Sequence, residues 1–219
     1  MKNTKYIEIP LCKLDMLKQF IRGSILGDGS IPKQSEKSKN YRITFGHGHK
    51  QKAYLEWKHD FLEKYLLSGA IVKRIAKSDR YKTGECISYH FKSKTHPIFT
   101  EFRNLYYNDK RFINKEDISK LDEFGLAIWY MDDGNITRRK KRTPHIELNT
   151  QSFLSDEIDF LVNLLQTKWN IRCARMNYSN IIRISSYDCQ KFLDIIEPYK
   201  VKCLAYKWVL DKEEELLES

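Results

Sequence analysis

Two blocks of this chain repeat one another, and that repetition constrains the fold more than any other feature. FIRGSILGDGSI (Phe20 to Ile31) aligns with GLAIWYMDDGNI (Gly125 to Ile136), placing Asp28 and Asp133 105 residues apart. Each block reads as an apolar helix that stops at Asp-Gly, and a fixed offset of this kind signals a duplicated structural unit. After each block come a basic loop, a strand (ITFGHGHK or IELNTQSF), an amphipathic helix, two more strands and a further helix beginning near His96 or Asp188. The order of elements agrees although identity between the halves is low.

Apolar spacing at Leu14, Leu17, Phe20 and Ile21, at Ala53, Trp57, Phe61 and Tyr65, and at Ile158, Leu161, Val162 and Leu165 predicts helices. Tyr41 to Phe45, Ala70 to Ala76, Ile87 to Phe91, His145 to Asn149, Ile171 to Met176 and Ile181 to Ser185 read as strands. The expectation is an α+β chain of two pseudo-symmetric αββαββα repeats, with half-domains over residues 12–118 and 119–219.

Charge bounds the partner. Lys and Arg number 39 against 29 Asp and Glu, and the segment Asp211 to Glu218 holds five acids and one Lys, so the rest of the chain carries +14. Such a surface attracts a polyanion at long range. Five scattered cysteines without a C-x-x-C pair argue against a disulfide framework or zinc ribbon and suit a reducing intracellular compartment, whether mitochondrion, chloroplast or prokaryotic cytoplasm. MKNTKYIEIP lacks the apolar run of a signal peptide, and no apolar stretch reaches the roughly 20 residues that span a bilayer, so a soluble protein with no membrane partner is expected. The signatures of P-loop nucleotide hydrolysis, serine hydrolysis and zinc proteolysis are missing. His47, His49 and His59 include an H-x-H pair but no third ligand at defined spacing, a weak case for a transition metal.

An ionised Asp at a helix C-terminus sits among free carbonyls and the negative end of the dipole, so it needs a compensating cation. A hard divalent ion does this while keeping positions open for water and phosphate. Asp28 and Asp133 are therefore candidate metal ligands, with Gly29 and Gly134 permitting the chain to leave the helix. One Asp-Gly would be an ordinary turn; two in matching surroundings point to a site.

With these residues in hand the chain resembles the LAGLIDADG homing endonucleases. Ile21, Gly23, Ile25, Gly27, Asp28 and Gly29 match or closely replace the first motif, and Leu126, Ala127, Asp133 and Gly134 match the second. Ile128 and Trp129 depart from the small or aliphatic residues usual there. The resemblance implies a monomer that binds double-stranded DNA on a saddle of two antiparallel sheets and cuts both strands of a long asymmetric target, initiating intron homing. It implies Mg2+ as cofactor, with Mn2+ or Ca2+ able to occupy the sites, and Asp28 and Asp133 as the acids that reach the scissile phosphates. Gly27 and Asp132 join them as metal-site candidates, with alignment to Asp28 favouring Asp133 over Asp132. An intron RNA maturase, or a non-catalytic DNA-binding regulator with the same fold, is the alternative.

By position in each half, Lys110 or Arg111 and Lys207 resemble the paired basic residues that such enzymes set near the cleaved phosphates, with Lys202 a rival for Lys207. His49 and Gln151 occupy corresponding places after a strand, suited to orienting the attacking water. Phosphate contacts are expected from Lys33, Lys37, Lys39 and Arg42 and from Arg138, Arg139, Lys140, Lys141 and Arg142. Base readers are expected on strands: Arg42, Thr44, Glu147, Asn149, Tyr178 and Arg183.

Overall fold

A computed structural model describes residues 9–35, 37–77, 84–138 and 143–210. The chain divides into two compact units, Met1–Leu17 with Asp28–Leu105 and Lys18–Gly27 with Tyr106–Ser219. The first long helix, α1 (Leu11–Leu26), contributes to both.

In the first unit the order is β1 (Thr44–Gly48), α2 (Lys52–Glu63), β2 (Ile71–Lys77), β3 (Glu85–Lys92) and α3 (Pro97–Tyr106). The strands form an antiparallel sheet in the order β1-β3-β2, with Phe45 opposite Phe91 and Ile71 on its other side. Alternation sends Phe45, His47 and Phe91 inward, where α2 packs on the sheet with Leu55, Phe61 and Leu62 buried. Lys58 is wholly buried on α2, its ammonium 4.7 Å from the rings of both Phe45 and Tyr54.

The predicted strand Tyr41 to Phe45 begins three residues later and runs on to Gly48. Residues 41–43 bond instead beyond β3: Ser93 N donates to the Ile43 carbonyl and His96 N to that of Tyr41. The strand expected directly after Asp28-Gly29 shrinks to one bridge, Ser30 with Thr44. Pro32 has no N–H with which to extend that ladder.

In the second unit α4 (Lys115–Ile118) leads to α5 (Glu123–Asp133), which is followed by β4 (Gly134–Thr137), β5 (His145–Asn149), α6 (Ser155–Trp169), β6 (Cys173–Met176), β7 (Ile181–Ile184) and α7 (Cys189–Ile196). The antiparallel sheet has the order β4-β5-β7-β6. Counting the Ser30–Thr44 bridge as a first strand, the other sheet has the same order. The structure is therefore a mixed fold with two antiparallel sheets, as the repeat predicts.

Local signals explain the helix starts. The Asp122 side chain accepts from Gly125 N at 2.9 Å and opens α5. Glu157 reaches back to Leu154 N at 2.7 Å to open α6, and Asn170 closes that helix in the left-handed conformation at φ 53°. Helix α5 is buried on every side from Phe124 to Asp132, as is the α1 segment from Phe20 to Leu26. A methyl group on Gly23 would overlap the Gly125 carbonyl oxygen and the Ile128 side chain. Two glycines thus let the two motif helices touch backbone to backbone.

Candidate active site and nucleic-acid face

Each motif helix ends under a basic side chain. At the end of α1, Arg111 donates from Nη1 to the carbonyls of Ile25 (2.9 Å) and Gly27 (3.2 Å) and from Nη2 to Ser152 Oγ (2.9 Å). At the end of α5, the Lys207 ammonium donates to the carbonyls of Met131 (2.7 Å) and Gly134 (2.8 Å). Lys207 is 7 % exposed. Both cations answer the negative end of a helix dipole and occupy carbonyls that the helix itself leaves open. Of the sequence candidates, Lys110 is exposed with its backbone N bonded to Asn108, and Lys202 is exposed, so neither performs this capping.

The α5 end is held from the sheet as well. Asn149 Nδ2 donates to the Asp133 carbonyl at 2.9 Å, and Gln151 Nε2 donates to Asn149 Oδ1 at 3.4 Å. Asn149 and Gln151, expected to read a base and to orient water, form a chain that ends on the backbone of Asp133. Asp133 is half-buried, whereas Asp132 is 8 % exposed. A methyl group on Gly27 would overlap the Cβ of Asp132, so Gly27 provides room for that carboxylate.

Asp28, in the other unit, keeps 35 % of its side chain exposed and lies 3.5 Å through Oδ2 from Nδ1 of His47, which also stands 3.3 Å from Gln51 Oε1. His47 is 4 % exposed and packs 5.4 Å from the Tyr54 ring. The sequence pattern H-x-H drew attention to His47 only as a metal candidate; strand alternation is the signal that places it inward beside Asp28. Asp28 lines a groove of about 350 Å³ with Thr44, Gly46, Arg74, His90 and Lys92. His49 follows in a 3-10 turn, exposed, its ring 6.1 Å from Tyr89.

The outer sheet face of the first unit carries Thr44, Gly46, Arg74, His90 and Lys92. Burial, with Arg74 nearby, holds the His90 imidazole below its ordinary pKa. A second groove of about 470 Å³ brings Arg42 together with Arg74, Lys92 and Lys94. Lys33, Lys37 and Lys39 are exposed in the preceding loop. Arg74 and Lys92 escaped the sequence reading although β-strand alternation puts them on the face of Thr44.

In the second unit the outer face carries Asn135, Thr137, His145, Glu147, Asn149 and Arg183, the inner face Ile146, Leu148, Ile182 and Ile184. Arg138 is turned back onto the chain, donating to the carbonyls of Val209 and Leu210. Arg139, Lys140, Lys141 and Arg142 lie outside the described residues. Tyr178 is fully exposed in the β6–β7 turn. Among the described residues there is no cluster of three or more His, Cys, Asp or Glu side chains fit for a metal, and no helix long and apolar enough to cross a membrane.

Comparison with known proteins agrees with this arrangement. The chain is 28% identical over 196 residues to "Probable intron-encoded endonuclease 1" of Wickerhamomyces canadensis, covering 87% of this chain and 82% of that one. It is 27% identical over 208 residues to a RecA protein of Mycobacterium gastri, of which it matches only 47% of the length. Among solved structures, the homing endonuclease I-WcaI bound to its DNA recognition sequence superposes with a TM-score of 0.78 at 25% identity, covering 90% of this chain and 87% of that one. The model of the LAGLIDADG DNA endonuclease family matches residues 18–192, spanning both motif helices and both sheets, and the chain belongs to that family.

Proposed function

We propose that this protein is a site-specific DNA endonuclease that hydrolyses one phosphodiester in each strand of a long duplex target with divalent metal, and so initiates intron homing. The observation that carries this reading is the repeated helix end: an aspartate directly before glycine, with a basic side chain on the last carbonyls. The likeness to a homing endonuclease bound to its DNA supports the substrate class.

The residues fit magnesium. That ion keeps most of its waters and takes one or two protein carboxylates rather than a dedicated protein cage, so a partly open aspartate at a helix end suits it. Asp28 in the first unit and Asp133 in the second are the candidate ligands, with Gly27 and Asp132 as further candidates in the second unit. Bound magnesium or manganese supplies an acidified water and neutralises charge on the phosphate. The chain's own residues fix the geometry. Arg111 and Lys207 hold the two helix ends, Asn149 ties the Asp133 backbone to β5, and His47 orients the Asp28 carboxylate. His49 and Gln151 are placed to steer water. Arg74 and Lys92 on one sheet face, Arg42 in the groove they line, and exposed Lys33, Lys37 and Lys39 neutralise DNA phosphates.

The test is to incubate the protein and magnesium with a randomised duplex library and to select bound and cut molecules separately. One sequence cut on both strands is expected. Specific binding without cutting would contradict the enzyme and favour a regulator or an RNA maturase, which a splicing assay then separates.

A further inference from the structure

In the second unit Glu147 and Arg183 stand directly opposite each other on β5 and β7, in the middle of the outer face. Asn135 lies beyond Glu147 and Ala174 beyond Arg183 in the same row. The pair is built in. Glu147 Oε1 accepts from Arg183 Nη2 at 3.0 Å and lies 3.0 Å from His145 Nε2, while Oε2 accepts from Thr137 Oγ1 at 3.0 Å, and Thr137 in turn accepts from Asn135. The Glu147 side chain is 15% exposed, that of Arg183 35%. Burial pushes the Glu147 carboxyl up, but hydrogen bonds from Arg183, His145 and Thr137 outweigh it and keep it below the usual range, hence ionised.

A fixed carboxylate on a surface that meets phosphates is unfavourable for general DNA affinity. With both of its oxygens occupied by neighbours, Glu147 is poorly placed to accept from a base itself. What it does is hold a guanidinium in one orientation. Arg183 has five N–H donors, and the bond to Glu147 uses one of them. Its Nε is buried, so the donors left for an outside partner are those of Nη1 and the second N–H of Nη2. The neighbouring Ala174 is small and exposed, leaving the fork uncovered. A planar fork with free, parallel donors matches O6 and N7 of guanine in the major groove, the base edge that presents two acceptors side by side.

We infer that Arg183 reads a single guanine of the duplex target and that Glu147, clamped by His145 and Thr137, is the positioning residue that aims it. This inference rests on the endonuclease reading above.

The experiment compares base preferences across a randomised duplex library, selected by binding in Ca2+, for the unaltered protein, Arg183→Ala, Arg183→Lys and Glu147→Ala. Thermal melting checks that each variant is folded. The unaltered protein is expected to require guanine at one position by about tenfold or more over other bases. Arg183→Ala and Arg183→Lys both flatten that position alone, since lysine keeps the charge but lacks the fork. Glu147→Ala weakens the preference several-fold at the same position and nowhere else. A profile unchanged by Arg183→Ala, or one in which Glu147→Ala alters a different position, overturns the inference and leaves the endonuclease reading intact. Absence of any selected sequence with the unaltered protein overturns both.

Discussion

Arg22 and Asp117, 95 residues apart in sequence, meet in a two-pronged ion pair, Nε to Oδ2 at 3.0 Å and Nη2 to Oδ1 at 2.7 Å. Their side chains are 8% and 10% exposed, and the Tyr106 hydroxyl donates to the same Oδ2 at 2.6 Å. Burial alone pushes the Asp117 carboxyl up; the bonds from Arg22 and Tyr106 outweigh it and hold it below its ordinary pKa. The pair ties the middle of the first motif helix to α4. Breaking such a pair from one side strands a buried charge and costs about 3–5 kcal/mol, whereas replacing both members with apolar residues costs far less. Asp117→Ala is therefore expected to destabilise more than Arg22→Met with Asp117→Leu, as read by urea unfolding. Equal losses would contradict the ion-pair account.

A second carboxylate gives a pH signature. Asp188 accepts from the Arg172 side chain at 2.9 and 2.6 Å and from its backbone N at 2.6 Å, and the side-chain bond followed by the backbone bond lowers its pKa to about 2. A group whose folded pKa is depressed stabilises fully above its unfolded value, near 4, and loses that stabilisation as pH falls through the folded value. The melting temperature is expected to drop between pH 4 and pH 2, and Asp188→Asn to shallow that part of the curve. An identical slope in the variant would count against this assignment.

Gly23→Ala forces a methyl group onto the Gly125 carbonyl oxygen, a backbone atom that cannot swing aside. Overpacking of this kind costs about 1–3 kcal/mol. Gly48→Ala is the control: a methyl group there meets nothing within 4 Å, and φ is −65°. The control is expected to stay within about 0.5 kcal/mol of the unaltered protein. Chemical denaturation of both variants measures the difference.

Lys207→Met removes the ammonium from two carbonyls at the end of α5 while keeping much of the side-chain volume. Unsatisfied buried carbonyls cost about 1–3 kcal/mol. Strand cutting is expected to slow by more than DNA binding weakens, because the helix end that carries Asp133 loses its anchor. Cutting at the unaltered rate by a destabilised variant would separate Lys207 from the chemistry.

The repeat made much of this legible. Helical spacing at Leu14–Ile21, Ala53–Tyr65 and Ile158–Leu165 located α1, α2 and α6, and alternation located the strands to within a few residues. Where the sequence misled, non-local bonding decided. Gly46 and Gly48 disguised the end of β1, and the bonds of Ser93 and His96 to Ile43 and Tyr41 shifted its start. The four-residue helix α4 is too short for a periodicity signal and depends on Asn114, whose side chain accepts from Asp117 N. In the site, both Asp-Gly ends were visible. The choice of Arg111 over Lys110 was not, because only the folded chain brings the Arg111 side chain to the Ile25 and Gly27 carbonyls. Strand alternation turns His47 inward, but only the folded chain brings it to Asp28, 19 residues earlier in sequence.

The central claim is that Asp28 and Asp133 perform the hydrolysis while other surfaces bind the DNA. With a duplex selected from the library, binding in Ca2+ and cutting in Mg2+ are to be measured for the unaltered protein, Asp28→Asn and Asp133→Asn. Affinity within a few-fold of the unaltered protein, with double-strand cutting lost in each variant, is the predicted result. Full cutting by either variant would contradict the account.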